Sequence, residues 1–298
     1  MKITFLGAAD TVTGSKHLVH IEGKHILLDC GLFQGYKILR ERNWTHLPFP
    51  AEKIDTVLLS HAHLDHSGWL PVLCKQGFKG PIYASKASRD LTEILLLDSA
   101  HLQEEDARRA NRGGWSRHHP ALPLYNVADA KRAIKQIVVM QTGREFQIGN
   151  AKIDLIPTGH LLGATALRLR TAEGTLVFSG DLGRSDDLLM PPPQSIDKAD
   201  ILLIESTYGN RLHSGENVQS KLGEIIRETI RCGGSVLLPS FAVGRAQALL
   251  LVLQRLKAAG EIPENLSIFL DSPMAATATT LYQQHRKLLR ISAGETTR

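Results

Sequence analysis

An α/β fold in two unequal parts is the architecture this sequence predicts, and three observations carry the prediction. Short runs rich in Val, Ile and Leu recur through residues 1–204, and several end on a turn that pairs Gly with His or Asp. Turn pairs at Glu22-Gly23, Gly149-Asn150 and Glu173-Gly174 join such runs as antiparallel neighbours. Beyond Glu205 the texture changes to strand and helix in alternation, which implies a parallel, doubly wound half-sheet. Two parts follow, residues 1–204 and 205–298, the second with only two strands after Glu205, too few for an independent domain.

Taken in order, KITFLGAA is a first strand, and TVTGSKHLVHIEGKHILLDCG gives two more in a meander. Residues 33–50, FQGYKILRERNWTHLPFP, read as a loop with interleaved basic and aromatic residues, suited equally to nucleic acid or to solvent. IDTVLLS is a buried strand, GWLPVLCKQG a short helix and GPIYAS a strand, followed by a long helix from about Ser88 whose later turns are charged. His101 on that helix reads as a surface or packing residue, and His118 and His119 as members of a proline-flanked loop rather than ligands. VADAKRAIKQ is a helix; residues 144–183 form consecutive strands. DKADILLIESTYGNR is another buried strand, and ENVQSKLGEIIRETIRCGG is a helix with Asn217 as its cap. SVLLPSF and SIFLDSP are strands, each followed by a helix.

Composition sets bounds. The 298 residues are 43% hydrophobic, ample for a large core, and the net charge of +5 permits a polyanionic partner without demanding one. Cys30, Cys74 and Cys232 are far apart in sequence and frame neither disulfides nor a zinc knuckle. With no signal-peptide pattern and no apolar stretch near membrane-spanning length, the expectation is a soluble cytoplasmic protein.

The chemistry concentrates in HAHLDH, residues 61–66, directly after IDTVLLS. Imidazole and carboxylate are the donors that hold Zn²⁺. The spacing His61-x-His63 aims both rings to one side of an extended backbone, whereas Asp65 and His66 follow a turn and face a second position. Two such positions roughly 3.5–4 Å apart suit hydrolysis at phosphorus, and they require further donors. His160 in PTGHLLGA and Asp181 in FSGDLG, each just after a strand and among glycines, supply them. Asp29 in LLDCG is either a carboxylate that orients a metal-bound histidine or a turn-forming Asp before Gly.

LLDCG, HAHLDHSG, PTGHLLGA and FSGDLG, in that order, resemble the first four motifs of the metallo-β-lactamase fold. ESTYG, PSFAVGRAQALL and FLDSPMA resemble the start of the inserted domain of the metallo-β-CASP nucleases, a group that includes bacterial RNase J and the endonuclease subunit of the eukaryotic cleavage and polyadenylation machinery. VTGSKHL and NRGGWSRHHPALPLY are similar to segments of bacterial and archaeal RNA-processing members, so the likeness runs from Met1 to about Tyr282.

The resemblance implies an incomplete metallo-β-lactamase αββα sandwich over 1–204 and a partial β-CASP domain over 205–298. It implies that His61, His63 and His160 bind a first zinc, that Asp65 and His66 bind a second, and that Asp181 bridges them. Asp29 becomes the orienting carboxylate. Asp65, Asp181 and Glu205 form the expected catalytic set, with Glu205 acting alongside a histidine in proton transfer to the leaving group.

The implied activity is hydrolysis of single-stranded RNA by a metal-bridging hydroxide, endonucleolytic, with 5′-exonuclease action as a variant mode. Family members continue past DSPMA to histidines in SGH-like and HGE-like motifs; this sequence ends at Arg298 without them, and its last histidine, His285, lies on a polar helix. The expectation is therefore a fragment, a shortened gene product or half of a split protein, acting as a homodimer or with a complementing C-terminal partner. The competing readings are a non-catalytic metal- and RNA-binding fragment and a glyoxalase II-like hydrolase of small substrates.

Overall fold

Period-two alternation sorts the apolar side chains of the N-terminal strands onto two faces. In the computed structural model, which describes residues 1–212, 215 and 217–291, β1 (Lys2–Gly7), β2 (Lys16–Ile21) and β3 (Lys24–Leu28) form an antiparallel meander. β4 (Thr56–Leu58), β5 (Ile82–Ser85) and β6 (Ile137–Met140) extend it in parallel, in spatial order β1-β2-β3-β4-β5-β6. A second sheet runs β11-β10-β9-β8-β7, from β7 (Phe146–Ile148), β8 (Ala151–Pro157), β9 (Thr165–Thr171), β10 (Gly174–Phe178) and β11 (Ile201–Leu203). All its pairings are antiparallel except β10 with β11.

Alternation then assigns the layers. Ile26, Leu28 and Leu58 share a buried cluster with Ile153, Leu155, Leu167, Leu169, Leu176 and Phe178, the seam between the sheets. Their neighbours Leu27, Val57 and Leu59 point the other way, into a cluster with Trp69, Leu70, Leu96, Ala130 and Ile134. Those partners belong to α3 (Leu70–Lys75), α4 (Lys86–Gly113), α5 (Val127–Lys135) and the turn before α3. β3 and β4, at the middle of the first sheet, are thus covered on both faces, as parallel strands require. On β8 and β9, Asp154, Arg168 and Arg170 point away from the seam and pair at 2.9 and 3.0 Å.

Two local differences from the sequence reading have simple causes. Residues 33–50 hold a short helix, α1 (Lys37–Glu41), and a 3₁₀ turn (Arg42–Trp44), with a second 3₁₀ turn just beyond them at Ala51–Lys53; at five residues, α1 is below the length at which periodicity is visible. β6 was not anticipated, because Ile137–Met140 is a four-residue run with no alternation.

By its packing the chain divides into Met1–Ser185 with Pro192–Glu205, and Asp186–Pro191 with Ser206–Arg298. The second unit holds α6 (Val218–Arg231), capped by the Asn217 side chain as expected, α7 (Arg245–Ala258) and α8 (Pro273–Gln284). Glu216 of the helix-forming stretch lies outside the described residues. The expected strands SVLLPSF and SIFLDSP, and with them the doubly wound half-sheet, are not found: neither segment joins a ladder. Leu237 and Phe269 are 87% and 88% exposed, while Val236 and Leu238 pack on the Leu222, Ile226 and Leu256 cluster. Apolar runs of this kind settle as parallel strands only when both faces are covered, and here one side alone has a partner.

Gly31 shows how tightly the first unit closes. A Cβ there would lie 1.5 Å from the Asp65 carbonyl oxygen, and neither backbone can retreat, because Leu32 N–H donates to the Leu64 carbonyl at 2.8 Å and Cys30 N–H to that of His66 at 2.7 Å. Gly31→Ala should destabilise the first unit by on the order of 3 kcal/mol. A thermal unfolding midpoint within a degree of the parent would contradict this packing.

Candidate metal centre

Four segments meet at one end of the seam: the Asp29 turn after β3, residues 60–66 after β4, the 158–164 loop after β8, and 179–182 after β10. The short helix α2 (Leu64–Ser67) begins directly after His63, so Asp65 and His66 leave the extended path and turn toward a different point from His61 and His63. Gly163 and Gly183 hold the 158–164 loop in place. The Gly163 carbonyl accepts from Ser85 Oγ and Ser88 Oγ at 2.7 and 2.8 Å at the start of α4. A Cβ on Gly183 would lie 2.2 Å from the Gly159 carbonyl carbon, so the Asp181 loop rides directly on the His160 loop.

The structure brings His61, His63, His160 and Asp181 together, one donor atom from each lying within 4.8 Å of all the others. Nδ1 of His63 is 3.2 Å from Nε2 of His61 and 3.3 Å from Nε2 of His160. Oδ2 of Asp181 is 3.3 Å from Nε2 of His160 and 3.8 Å from Nε2 of His61. Metal–donor bonds of about 2.0–2.1 Å in a tetrahedron place the donors roughly 3.3 Å apart, so these side chains fit one cation. The other oxygen of Asp181, Oδ1, faces Nε2 of His66 at 3.2 Å, and that same nitrogen lies 3.7 Å from Oδ2 of Asp65. The six residues singled out from the sequence therefore occupy one centre, with Asp181 between its two halves.

Asp29 is the anchor. It is fully buried and adopts a left-handed backbone, φ 56°. Its Oδ1 accepts from Ser60 N–H at 2.8 Å, and its Oδ2 accepts from Ser60 Oγ at 2.9 Å and Ser15 Oγ at 3.2 Å and lies 2.7 Å from His66 Nδ1. A carboxylate acceptor keeps the His66 proton on Nδ1 and turns Nε2 toward Asp181 and Asp65. Ser60 Oγ, having given its hydrogen to Asp29, accepts from His61 Nδ1 at 3.1 Å, which leaves His61 Nε2 with its lone pair facing the centre. Ser60 and Ser15 were missed in the sequence; the only signal was a serine immediately before His61.

Burial lowers the pKa of His61 and of His160, and lowers that of His63 to about 4, the neighbouring histidines adding to the effect at His61 and His63. All three rings are thus held neutral, as ligands must be. For His66 burial acts in the same direction, but the Asp29 charge and the hydrogen bonds with Asp181 and Asp29 outweigh it and raise its pKa well above the usual value. Asp181 is held near 2, where the His66 hydrogen bond and charge overcome burial. Burial raises Asp65. The charge that balances the two carboxylates sits on His66, and a cation bound there would take its place.

Glu205 lies beside the centre: its Oε1 accepts from Leu182 N–H at 2.8 Å, one residue past Asp181, and its own N–H donates to Ser179 Oγ at 3.0 Å. His118 and His119 are exposed in the 115–125 loop and take no part. His101 is exposed on α4, 3.8 Å from Glu105, as the sequence reading has it.

An αβ sandwich whose strand-end loops gather histidines and a shared aspartate defines a fold organised around a candidate metal centre. The sequence profile of the metallo-beta-lactamase superfamily matches residues 12–252 and that of the Beta-Casp domain residues 246–297, and the chain belongs to this superfamily, in its beta-CASP branch. Ribonuclease TTHA0252 of Thermus thermophilus is 38% identical over 284 residues, 95% of this chain and 61% of the relative. Cleavage and polyadenylation specificity factor 73 of Drosophila melanogaster is 28% identical over 288 residues, 96% of this chain and 40% of the relative. The chain thus spans less than two thirds of the length of these relatives. A crystal structure of an Enterococcus faecalis protein of unknown function superposes over 94% of this chain and 67% of its own, with a TM-score of 0.50 and 16% identity, a likeness of fold.

Asp29→Asn removes the charge and leaves one acceptor oxygen; with that oxygen kept by Ser60 N–H, an amide NH2 faces His66 Nδ1 in place of the carboxylate oxygen, which should lower metal affinity by about 10–100-fold while the chain stays folded. Metal content after dialysis against graded chelator, read by atomic emission, measures it; unchanged retention would remove Asp29 from its orienting role.

Proposed function

We propose that the chain is a zinc-dependent ribonuclease that hydrolyses phosphodiester bonds within single-stranded RNA. The observation that carries this reading is the placement of Asp181, whose two oxygens face two donor groups, His61–His63–His160 on one side and Asp65–His66 on the other. A carboxylate so placed suits a bridging ligand between two zinc ions. When bound, such ions supply a water acidified toward neutral pH and Lewis acidity at the phosphoryl oxygens.

The chain's own residues do the rest. The buried, neutral imidazoles of His61, His63 and His160 present lone pairs without first losing a proton, and Asp29 and Ser60 hold His66 and His61 in the required tautomers. Asp65 and Asp181 add the negative charge that offsets the cations. We assign proton transfer to the departing oxygen to Glu205, whose carboxylate also fixes the Asp181 loop through Leu182. RNA as substrate is supported by kinship with a ribonuclease and a cleavage and polyadenylation specificity factor. We read residues 1–204 as the metallo-β-lactamase domain and 205–298 as part of a β-CASP domain. Cytoplasmic placement agrees with a chain in which no helix of the described residues is long and apolar enough to cross a membrane.

The test is cleavage of an internally labelled, unstructured RNA by the zinc-loaded chain, with Asp181→Ala as its control. Internal products that vanish in the variant are expected. Intact RNA together with turnover of a thioester would replace this reading by a small-substrate hydrolase, and RNA bound but uncut would make the chain a binder.

Glu205 permits a sharper measurement on the active protein. Gln keeps the Leu182 N–H acceptor but carries no transferable proton, whereas Ala loses both. If Glu205 moves a proton, Glu205→Gln retains zinc and loses about 10²–10⁴-fold in kcat; activity near that of the parent would limit the residue to holding the loop.

A further inference from the structure

The segment that leaves the Asp29 turn carries an exposed set of aromatic and basic side chains. Tyr36, Ile38 and Trp44 are 82%, 69% and 60% exposed. Lys37, Arg40 and Arg42 stand at solvent among them against a single acid, Glu41.

This segment is clamped rather than loose. The buried Asn43 side chain accepts from Phe33 N–H at 2.9 Å and donates to the Phe33 carbonyl at 2.8 Å. Trp69 Nε1 donates to the Asn43 carbonyl at 2.9 Å. Arg42 lies over the Phe33 ring, 5.6 Å from its centre. Arg42 and Trp44 therefore flank a pinned residue, so the backbone that carries them is already ordered before binding. The root of the segment is the metal centre itself, since Leu32 and Cys30 donate to the carbonyls of Leu64 and His66.

Exposed aromatic rings beside guanidinium groups on a pinned backbone match a single-stranded nucleic acid, in which stacking faces and phosphates alternate along the chain. A folded protein partner would be served by a continuous apolar patch, whereas here cations separate the aromatic side chains. We propose that Tyr36–Trp44 is a docking platform for the RNA strand beside the centre, with a base stacked on Trp44 and the backbone held by Arg40 and Arg42. The identity of the polymer rests on the ribonuclease reading; the platform itself rests on the exposure and clamping of these residues.

The experiment is fluorescence anisotropy of a 5′-labelled oligouridylate with hydrolysis-resistant phosphorothioate linkages, titrated with the zinc-loaded full chain. Trp44→Ala should weaken binding about tenfold, and Trp44→Phe should restore most of it. Arg40→Gln should flatten the slope of log affinity against log salt by about 0.7. Both positions are exposed, and circular dichroism matching the parent verifies that each variant is folded.

Affinity unchanged in Trp44→Ala overturns the platform, whatever the cleavage assay shows. So does a parent chain that binds no RNA, with cleavage then judged separately. If Trp44→Ala weakens binding and the zinc-loaded chain never cuts unmodified RNA, the platform stands and the hydrolase reading fails. A Trp44→Ala chain that keeps RNA affinity but changes from dimer to monomer in sedimentation assigns the face to a second copy and overturns the proposal.

Discussion

The carboxylate of Asp29 is the constraint on which the centre depends. An ionised group buried completely costs several kcal/mol unless its lone pairs are filled, and here four contacts fill them: Ser15, Ser60 twice, and His66. The carboxylate itself orients His66, and the Ser60 hydroxyl it holds orients His61, so the direction in which the centre-facing nitrogens point follows from satisfying a buried charge. The left-handed backbone at Asp29 costs about 1 kcal/mol for a residue with a side chain, and the same hydrogen bonds hold it. Gly31 follows because the Asp29 turn presses onto the Asp65 carbonyl more closely than any Cβ permits.

Much of the candidate site was legible because its residues break the pattern of the strands that deliver them. A His or Asp that ends an apolar run among glycines has no role in a core, so His61, His63, His160 and Asp181 stood out against their neighbours. Ser15 and Ser60 did not, because a serine at a strand end is commonplace and only the folded chain shows that both reach one oxygen. Asp29 was ambiguous for a related reason: Asp before Gly is equally a turn signal, and here it is both at once.

The fold was legible where period and length agreed, as in β2, β3, β8, β9 and α4. It failed where one without the other was available. Residues 235–241 and 267–273 have the composition of buried strands, but composition specifies a strand only when neighbours complete the ladder, and α6 and α7 give Val236 and Leu238 one-sided cover alone. α1 is the opposite case, a helix defined less by its own sequence than by the clamp at Asn43 just beyond it.

The donors of the centre come from both layers of the sandwich. His61, His63, Asp65 and His66 follow a strand of the first sheet, and His160 and Asp181 follow strands of the second. A cation held between them would therefore act as a cross-link. By linkage, whatever free energy it contributes on binding is added to the cohesion of the two sheets. The two sets of donors are also far apart along the chain, His63 and His160 being separated by 97 positions, so a bound cation would close a long loop.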